Sequence, residues 1–242
     1  MAKEYPIQNV SFRGETDNFL TEAGGDSRVP KWVNDATISA NGERVYGQLE
    51  LFSELFSDAN RTMPVLTEIT LNKKATAKSH RPAVRKMMDV NHKRNVLGVT
   101  SVGKILVKID TANDLKKMER GFKVVNTDNL PKDKKIGLSA IENISRYKAV
   151  VDDSIQEDDR LKLQLVDYLN SEYNHRSRIA LGIKCKEFGV KLEELNYASS
   201  LRLFSLEHVS EEALQAIASM DCVLAVRKMP TIEFEAAPDE DN

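Results

Sequence analysis

An α+β chain that passes twice through the order strand, helix, strand, strand, helix, strand is what the 242 residues predict. Three observations lead there. Short runs of period-two alternation, such as Val65, Thr67, Ile69 and Leu71, interleave with segments whose apolar residues return at helical spacing. Residues suited to starting helices, Thr111, Asn170 and Ser210, stand where the period changes. The order of element types read from 63 to 147 is then met again from 161 to 226, without obvious sequence identity.

The N-terminal sixty residues stand apart. Residues 1–40 mix Gly24-Gly25, Pro6, Pro30, Asp and Asn with scattered apolar residues, a composition suited to an irregular arm. Trp32 and Val33 are expected to pin that arm to a neighbouring surface, because one large aromatic buries enough area to fix a loop. From Gly42 or Glu43 to about Asp58, Val45, Leu49, Phe52, Leu55 and Phe56 mark an amphipathic helix, for core packing or for docking a partner.

Residues 61–150 form the first module. Met63 to Leu71 is a strand, and a helix opens near Ser79, since Pro82 fits only within a first turn. Val96 to Ser101 and Lys104 to Ile109 make a hairpin about Val102-Gly103. Thr111 caps a helix reaching Arg120 and ended by Gly121, and Ile136 to Tyr147 completes the set as a strand. Asp152, Asp153, Glu157, Asp158 and Asp159 make residues 151–160 a solvated acidic linker.

Residues 161–236 form the second module. Leu161, Leu163 and Leu165 alternate with polar partners, Asn170 or Ser171 caps a helix running to about Phe188, and Gly189 stops it. Strands follow at Leu192 to Leu195 and Leu201 to Leu206. Ser210 then caps a short helix with Glu211 and Glu212 at its positive end, and Cys222 to Val226 closes as a buried strand. Residues 237–242 are an acidic tail.

Composition bounds the function. With 41% hydrophobic and 30% charged residues the chain is an ordinary globular protein, long enough for one large core or two small ones. A net charge of −2 predicts no bulk attraction to nucleic acid or to anionic membrane. No apolar run reaches membrane-spanning length, and Met1-Ala2-Lys3-Glu4-Tyr5-Pro6 lacks the apolar core of a signal peptide, so the expected address is cytoplasmic, with no membrane partner. Cys185 and Cys222 are expected as two buried thiols rather than one disulfide. No zinc-ligand spacing exists, and neither metal nor cofactor is expected.

A strand, then Ser210-Glu211-Glu212-Ala213-Leu214 on a helix, then a strand Val223 to Val226 running into an extended end resembles the closing half of the inhibitor prodomains of subtilisin-like serine proteases. A second stretch, Ala75-Thr76-Ala77-Lys78-Ser79-His80-Arg81-Pro82, is similar to the N-terminal region of large bacterial subtilisin-family peptidases, as is Gly137-Leu138-Ser139-Ala140-Ile141-Glu142. The likeness covers about residues 63 to 234. It implies two ferredoxin-like modules in tandem, and a role as folding assistant or autoinhibitor of a subtilisin-like catalytic domain, in the same polypeptide or from an adjacent gene. By the same likeness, Met229, Pro230, Thr231, Ile232, Glu233, Phe234 and Glu235 would lie along the protease cleft, pairing backbone groups as an added strand. The other reading of that end is an edge strand of its own module or a frayed terminus.

The chain itself is not expected to hydrolyse anything. The family's Asp-Thr-Gly, His-Gly-Thr and Gly-Thr-Ser settings are missing, so the Asp, His and Ser of a triad are not recognisable here. His80 is adjacent to Ser79 and Lys78, and neighbours on a helix do not face each other. His92, His175 and His208 stand in expected loop or cap positions without a nucleophile motif. Two other function classes compete. A scaffold or adaptor would use the same modules for protein contacts. An RNA-binding protein would use the basic run Lys73, Lys74, Lys78, Arg81, Arg85, Lys86, Lys93 and Arg94, but the strands from Val96 to Ile109 lack the aromatic residues that stack bases. The basic run reads instead as a solvated face or a dock for an acidic surface.

Overall fold

The computed structural model of the chain describes residues 29–57, 61–76, 80–100, 102–156, 159–195 and 201–230. These form a mixed α+β structure with two sheets and six α-helices among the described residues. It divides into two compact units, one built on Val65–Arg146 with the helix before it, the other running from Tyr147 and including Thr62–Pro64.

The first unit holds an antiparallel sheet in the order β2-β3-β1-β4, where β1 is Val65–Leu71, β2 Val96–Val99, β3 Ile105–Ile109 and β4 Ile141–Arg146. Its helices are α1 (Asp35–Leu51), α2 (Arg81–Met88), α3 (Ala112–Phe122) and α4 (Lys132–Ala140). Val65, Ile69, Val107, Ile109 and Ile144 bury one sheet face in a core with Leu49, Met88, Leu115, Met118 and Phe122. Trp32 and Val33 pack on that core as expected.

Helix α1 begins at Asp35, well before the expected start at Gly42 or Glu43. Asn34 caps it, its side chain accepting from the Thr37 N–H at 2.9 Å. The apolar period fades before Val45 because this end of the helix faces the core with Asn41 and Gly42. Asn41 donates to the Leu138 and Ser139 carbonyls at 3.1 and 3.3 Å, filling acceptors that the end of α4 leaves open. A Cβ on Gly42 would stand 2.9 Å from Val124 Cγ2 and 3.0 Å from the Phe122 carbonyl, so glycine sets the spacing of α1 from the end of α3. Further along, Arg44 donates to the Glu142 carbonyl and Gln48 accepts from the Ile144 N–H at 2.9 Å. The edge strand β4 thus spends outward backbone groups on α1, which removes a template for aggregation.

The hairpin lies where it was expected, with Gly103 at φ 81°, a left-handed value that favours glycine. Thr111 caps α3, but Gly121 lies inside that helix, which runs on to Phe122. The expected strand from Ile136 to Tyr147 is half helix. Pro131, at φ −57° and ψ 147°, stands at the N-cap with Asp133 in the first turn behind it, and α4 carries through Ala140 before β4 begins. A Cβ on Gly137 would collide with Met87 Sδ, so glycine here lets α4 lie close on α2.

In the second unit the sheet order is β5-β9-β6-β8-β7. Here β5 is Val150–Val151, β6 Leu161–Leu165, β7 Lys191–Leu195, β8 Leu203–Glu207 and β9 Val223–Lys228; the helices are α5 (Ser171–Glu187) and α6 (Glu211–Ala218). Asn170 and Ser210 cap the helices and Gly189 ends α5 at φ 67°. Leu161, Leu163, Phe204, Leu206 and Val226 share the buried face, with Leu181, Cys185, Ala213 and Ile217 from the helices. Cys185 and Cys222 are free buried thiols, their pKa pushed up by burial to about 11 and about 12, and neither is a nucleophile at neutral pH.

Two expectations fail in this unit. The stretch 151–160 is no plain solvated linker: Val150 and Val151 pair in parallel with Ala225 and Val226, and Asp159 bonds Lys228 at 2.8 Å. Glu157 and Asp158 lie outside the described residues. Arg202 is not a strand residue either. It sits at φ 48° ahead of β8, and its guanidinium donates to the Val166 carbonyl, to Asn174 Oδ1 at 2.9 Å, to the Asn174 carbonyl at 2.6 Å and to Ser177 Oγ at 2.7 Å.

Candidate functional site

Alternation fixes what the helix-free face of the second sheet presents. With Leu161, Leu163 and Leu165 pointing into the core, Lys162 and Gln164 must point the other way. Lys162 stands directly opposite Arg227 on β9 and Ser205 on β8, and Gln164 opposite Ala225 and Leu203. On β7, Glu193 is opposite Ser205, and Leu195 opposite Leu203. A depression of about 250 Å³ opens on this face, lined by Lys162, Gln164, Leu201, Leu203, Ala225 and Arg227.

One border of the face is a closed ladder of charges. Arg160 reaches Glu207 at 3.0 Å and Glu193 at 3.4 Å, and Lys191 reaches Glu207 at 2.8 Å and Glu193 at 3.1 Å. Lys191 holds the Glu207 carboxyl below its ordinary range, and Glu207 raises Lys191 in return. All four groups meet solvent, so the ladder specifies positions more than it stabilises. The chain leaves β9 past this border: the Met229 N–H donates to the Arg160 carbonyl at 2.8 Å, and Pro230 is exposed. Thr231, Ile232, Glu233, Phe234 and Glu235 of the expected protease-binding end lie outside the described residues, as does the acidic tail 237–242.

The run Lys78-Ser79-His80-Arg81-Pro82 is described only from His80 onward. His80 is 3% exposed, with its ring edge-on to Trp32 at a centroid distance of 4.8 Å and an angle of 85°. Arg81 is exposed at the start of α2, and Pro82 lies in the first turn. His80 therefore helps to anchor the segment before α1. Desolvation lowers its pKa from the ordinary 6.5, so the unfolded chain binds the proton more readily than the folded one. That gap leaves stability intact above about pH 6.5 and removes it on acidification, with a slope of at most about 1.4 kcal/mol per pH unit. Urea unfolding of the first unit at pH 7.5 and 5.5 is expected to show this loss in the native chain, and a smaller one in His80→Phe. Equal losses in both would remove the assignment.

His175 lies within α5, not in the loop or cap expected, and His208 sits at φ 60° after β8; both are exposed. Among the described residues no group of three or more His, Cys, Asp or Glu could hold a metal ion. Three members of the basic run are paired with acids: Arg85 with Asp89 of the same run at 3.0 Å, Lys86 with Asp133 at 3.0 Å, and Lys93 with Asp114 at 3.2 Å and Asp110 at 3.7 Å. No helix among the described residues is long and apolar enough to cross a membrane.

Sequence reading overlooked the Lys162 and Arg227 pair. Alternation gives the outward side of each residue, but the register that sets them opposite each other depends on a contact across 65 positions. No family model, no curated protein and no solved structure matches the chain.

Proposed function

We propose that this chain is a non-catalytic, prodomain-like binding module for a subtilisin-like serine protease, built from two ferredoxin-like units in tandem. It holds the catalytic domain by the helix-free face of the second sheet and by the segment that leaves β9, as folding assistant, as inhibitor, or as both. The observation that carries the reading is the arrangement around β9. In each unit the first strand of the β-α-β-β-α-β run is central, between the last and the third, and in the second unit the last strand delivers the chain outward at Met229-Pro230 beside that first strand. A sheet with helices on one face keeps the other face for a partner, and an extended end emerging at its border suits strand addition in a substrate cleft.

The test is inhibition. A subtilisin-like catalytic domain encoded with the chain or beside it is mixed with the purified chain, and hydrolysis of a chromogenic peptide is followed. Slow-binding inhibition in the nanomolar range is expected, weakened at least roughly a hundredfold in a variant truncated after Lys228. Unchanged hydrolysis at micromolar chain, or degradation of casein by the chain alone, would end this reading.

A further inference from the structure

The charge pattern of the helix-free face of the second sheet specifies its partner more closely. Lys162 and Arg227 are cross-strand neighbours of like sign, and like charges directly opposite one another destabilise a sheet. The acids of the face do not relieve them, because Glu193 and Glu207 are engaged by Arg160 and Lys191. Asp152 takes hydrogen bonds from Ser154 and feels Arg227 only at a distance, without an ion pair. Among the described residues neither Lys162 nor Arg227 forms an ion pair. Two cations without an ion-pair partner thus stand on the wall of a depression whose other lining residues are Gln164, Leu201, Leu203 and Ala225. Cations beside an apolar floor suit a carboxylate that arrives next to an aliphatic side chain, and the Gln164 amide suits a backbone group between them.

We infer that this face binds an acidic peptide segment of its partner, one aliphatic side chain entering the depression while flanking carboxylates pair with Lys162 and Arg227. The inference rests on the reading of this face as the binding surface and adds the chemistry of what it binds. Nucleic acid fits less well: the lining holds no aromatic residue for base stacking.

The full-length chain, labelled with nitrogen-15, is titrated with a short acetylated and amidated peptide in which one leucine is flanked by glutamates. Amide shifts are expected at Lys162, Gln164, Leu203, Ala225 and Arg227, with binding that weakens as salt is added. A twin peptide with glutamine for glutamate is expected to bind at least roughly tenfold more weakly. The double variant Lys162→Gln, Arg227→Gln is expected to lose the peptide by a similar factor while its thermal midpoint rises by about 2 °C, because the like-charge contact is gone. A fall in the midpoint would mark the pair as structural and overturn the inference. So would the absence of shifts at millimolar peptide, equal binding of the twin, or tighter binding of a thymidine oligomer at the same residues. Loss of peptide binding with protease inhibition retained removes the charge inference alone; peptide binding with no inhibition removes the protease reading alone.

Discussion

Replacing Arg202 by alanine is expected to destabilise the second unit by about 3 kcal/mol, seen as a lower urea midpoint with an unchanged slope. The guanidinium joins three pieces of chain that sequence keeps apart: the residue after β6 through the Val166 carbonyl, the first turns of α5 through Asn174 and Ser177, and its own position ahead of β8. Desolvation lowers its pKa from the ordinary guanidinium range, yet it stays charged, and hydrogen bonds from a charged donor contribute more than neutral ones. Alanine leaves the Ser177 hydroxyl, which is fully buried, with one partner fewer and the Val166 carbonyl without its side-chain donor. Arg202→Lys should recover less than half of the loss, since an ammonium cannot reproduce the planar fork. Arg202→Gly isolates the backbone contribution. At φ 48° glycine is at ease where alanine is not, so the glycine variant should be the more stable of the two by about 1 kcal/mol. If the alanine variant unfolds within about 0.5 kcal/mol of the parent, the network is ornamental.

In the first unit the corresponding large effect belongs to Asp114, whose replacement by alanine is expected to destabilise that unit by about 3 kcal/mol. Asp114 is 1% exposed, and its carboxylate takes three donors at the start of α3. Thr111 Oγ1 donates to it at 2.9 Å while accepting from the Asp114 N–H at 3.2 Å, a reciprocal cap. Asn91, held at φ 60°, donates to the other oxygen, and Lys93 pairs at 3.2 Å. Removing the acid strands these partners, but Lys93 is partly exposed and can turn to water, which keeps the effect near the lower end for a broken buried ion pair. Desolvation pushes the Asp114 pKa up, and the hydrogen bonds from Thr111, Asn91 and Lys93 outweigh it and hold the group below its ordinary 3.8. A depressed folded-state pKa means stability that is present above about pH 3.8 and lost as pH falls through the lower value. The native first unit should therefore weaken more steeply in acid than Asp114→Ala, and parallel acid titrations of the two proteins would remove the assignment.

What could be read from sequence is what local chemistry decides. Thr111, Asn170 and Ser210 act as caps wherever they stand, because a hydroxyl or amide beside free N–H groups needs no tertiary help. Gly103 and Gly189 take left-handed values for reasons equally local. The failures share a cause in distance along the chain. Asn41 and Gly42 look like the end of an apolar pattern, yet their partners are Leu138, Ser139, Phe122 and Val124. Ile136 to Ala140 has an apolar content that fits either state, and packing against α2 decides for helix. At the candidate site, the outward side of Lys162 was legible from its leucine neighbours. Its pairing with Arg227 was not, because register is a property of two strands.

The parallel pairing of Val150 and Val151 with Ala225 and Val226 also bears on how the protein is made. A ribosome delivers residue 150 long before residue 226, and β9 must slot between β5 and β6 to finish the sheet. Until then two strands wait with unmatched edges, so the second unit assembles only once Val223–Lys228 has been made, whereas Val65–Arg146 has every strand in hand well before.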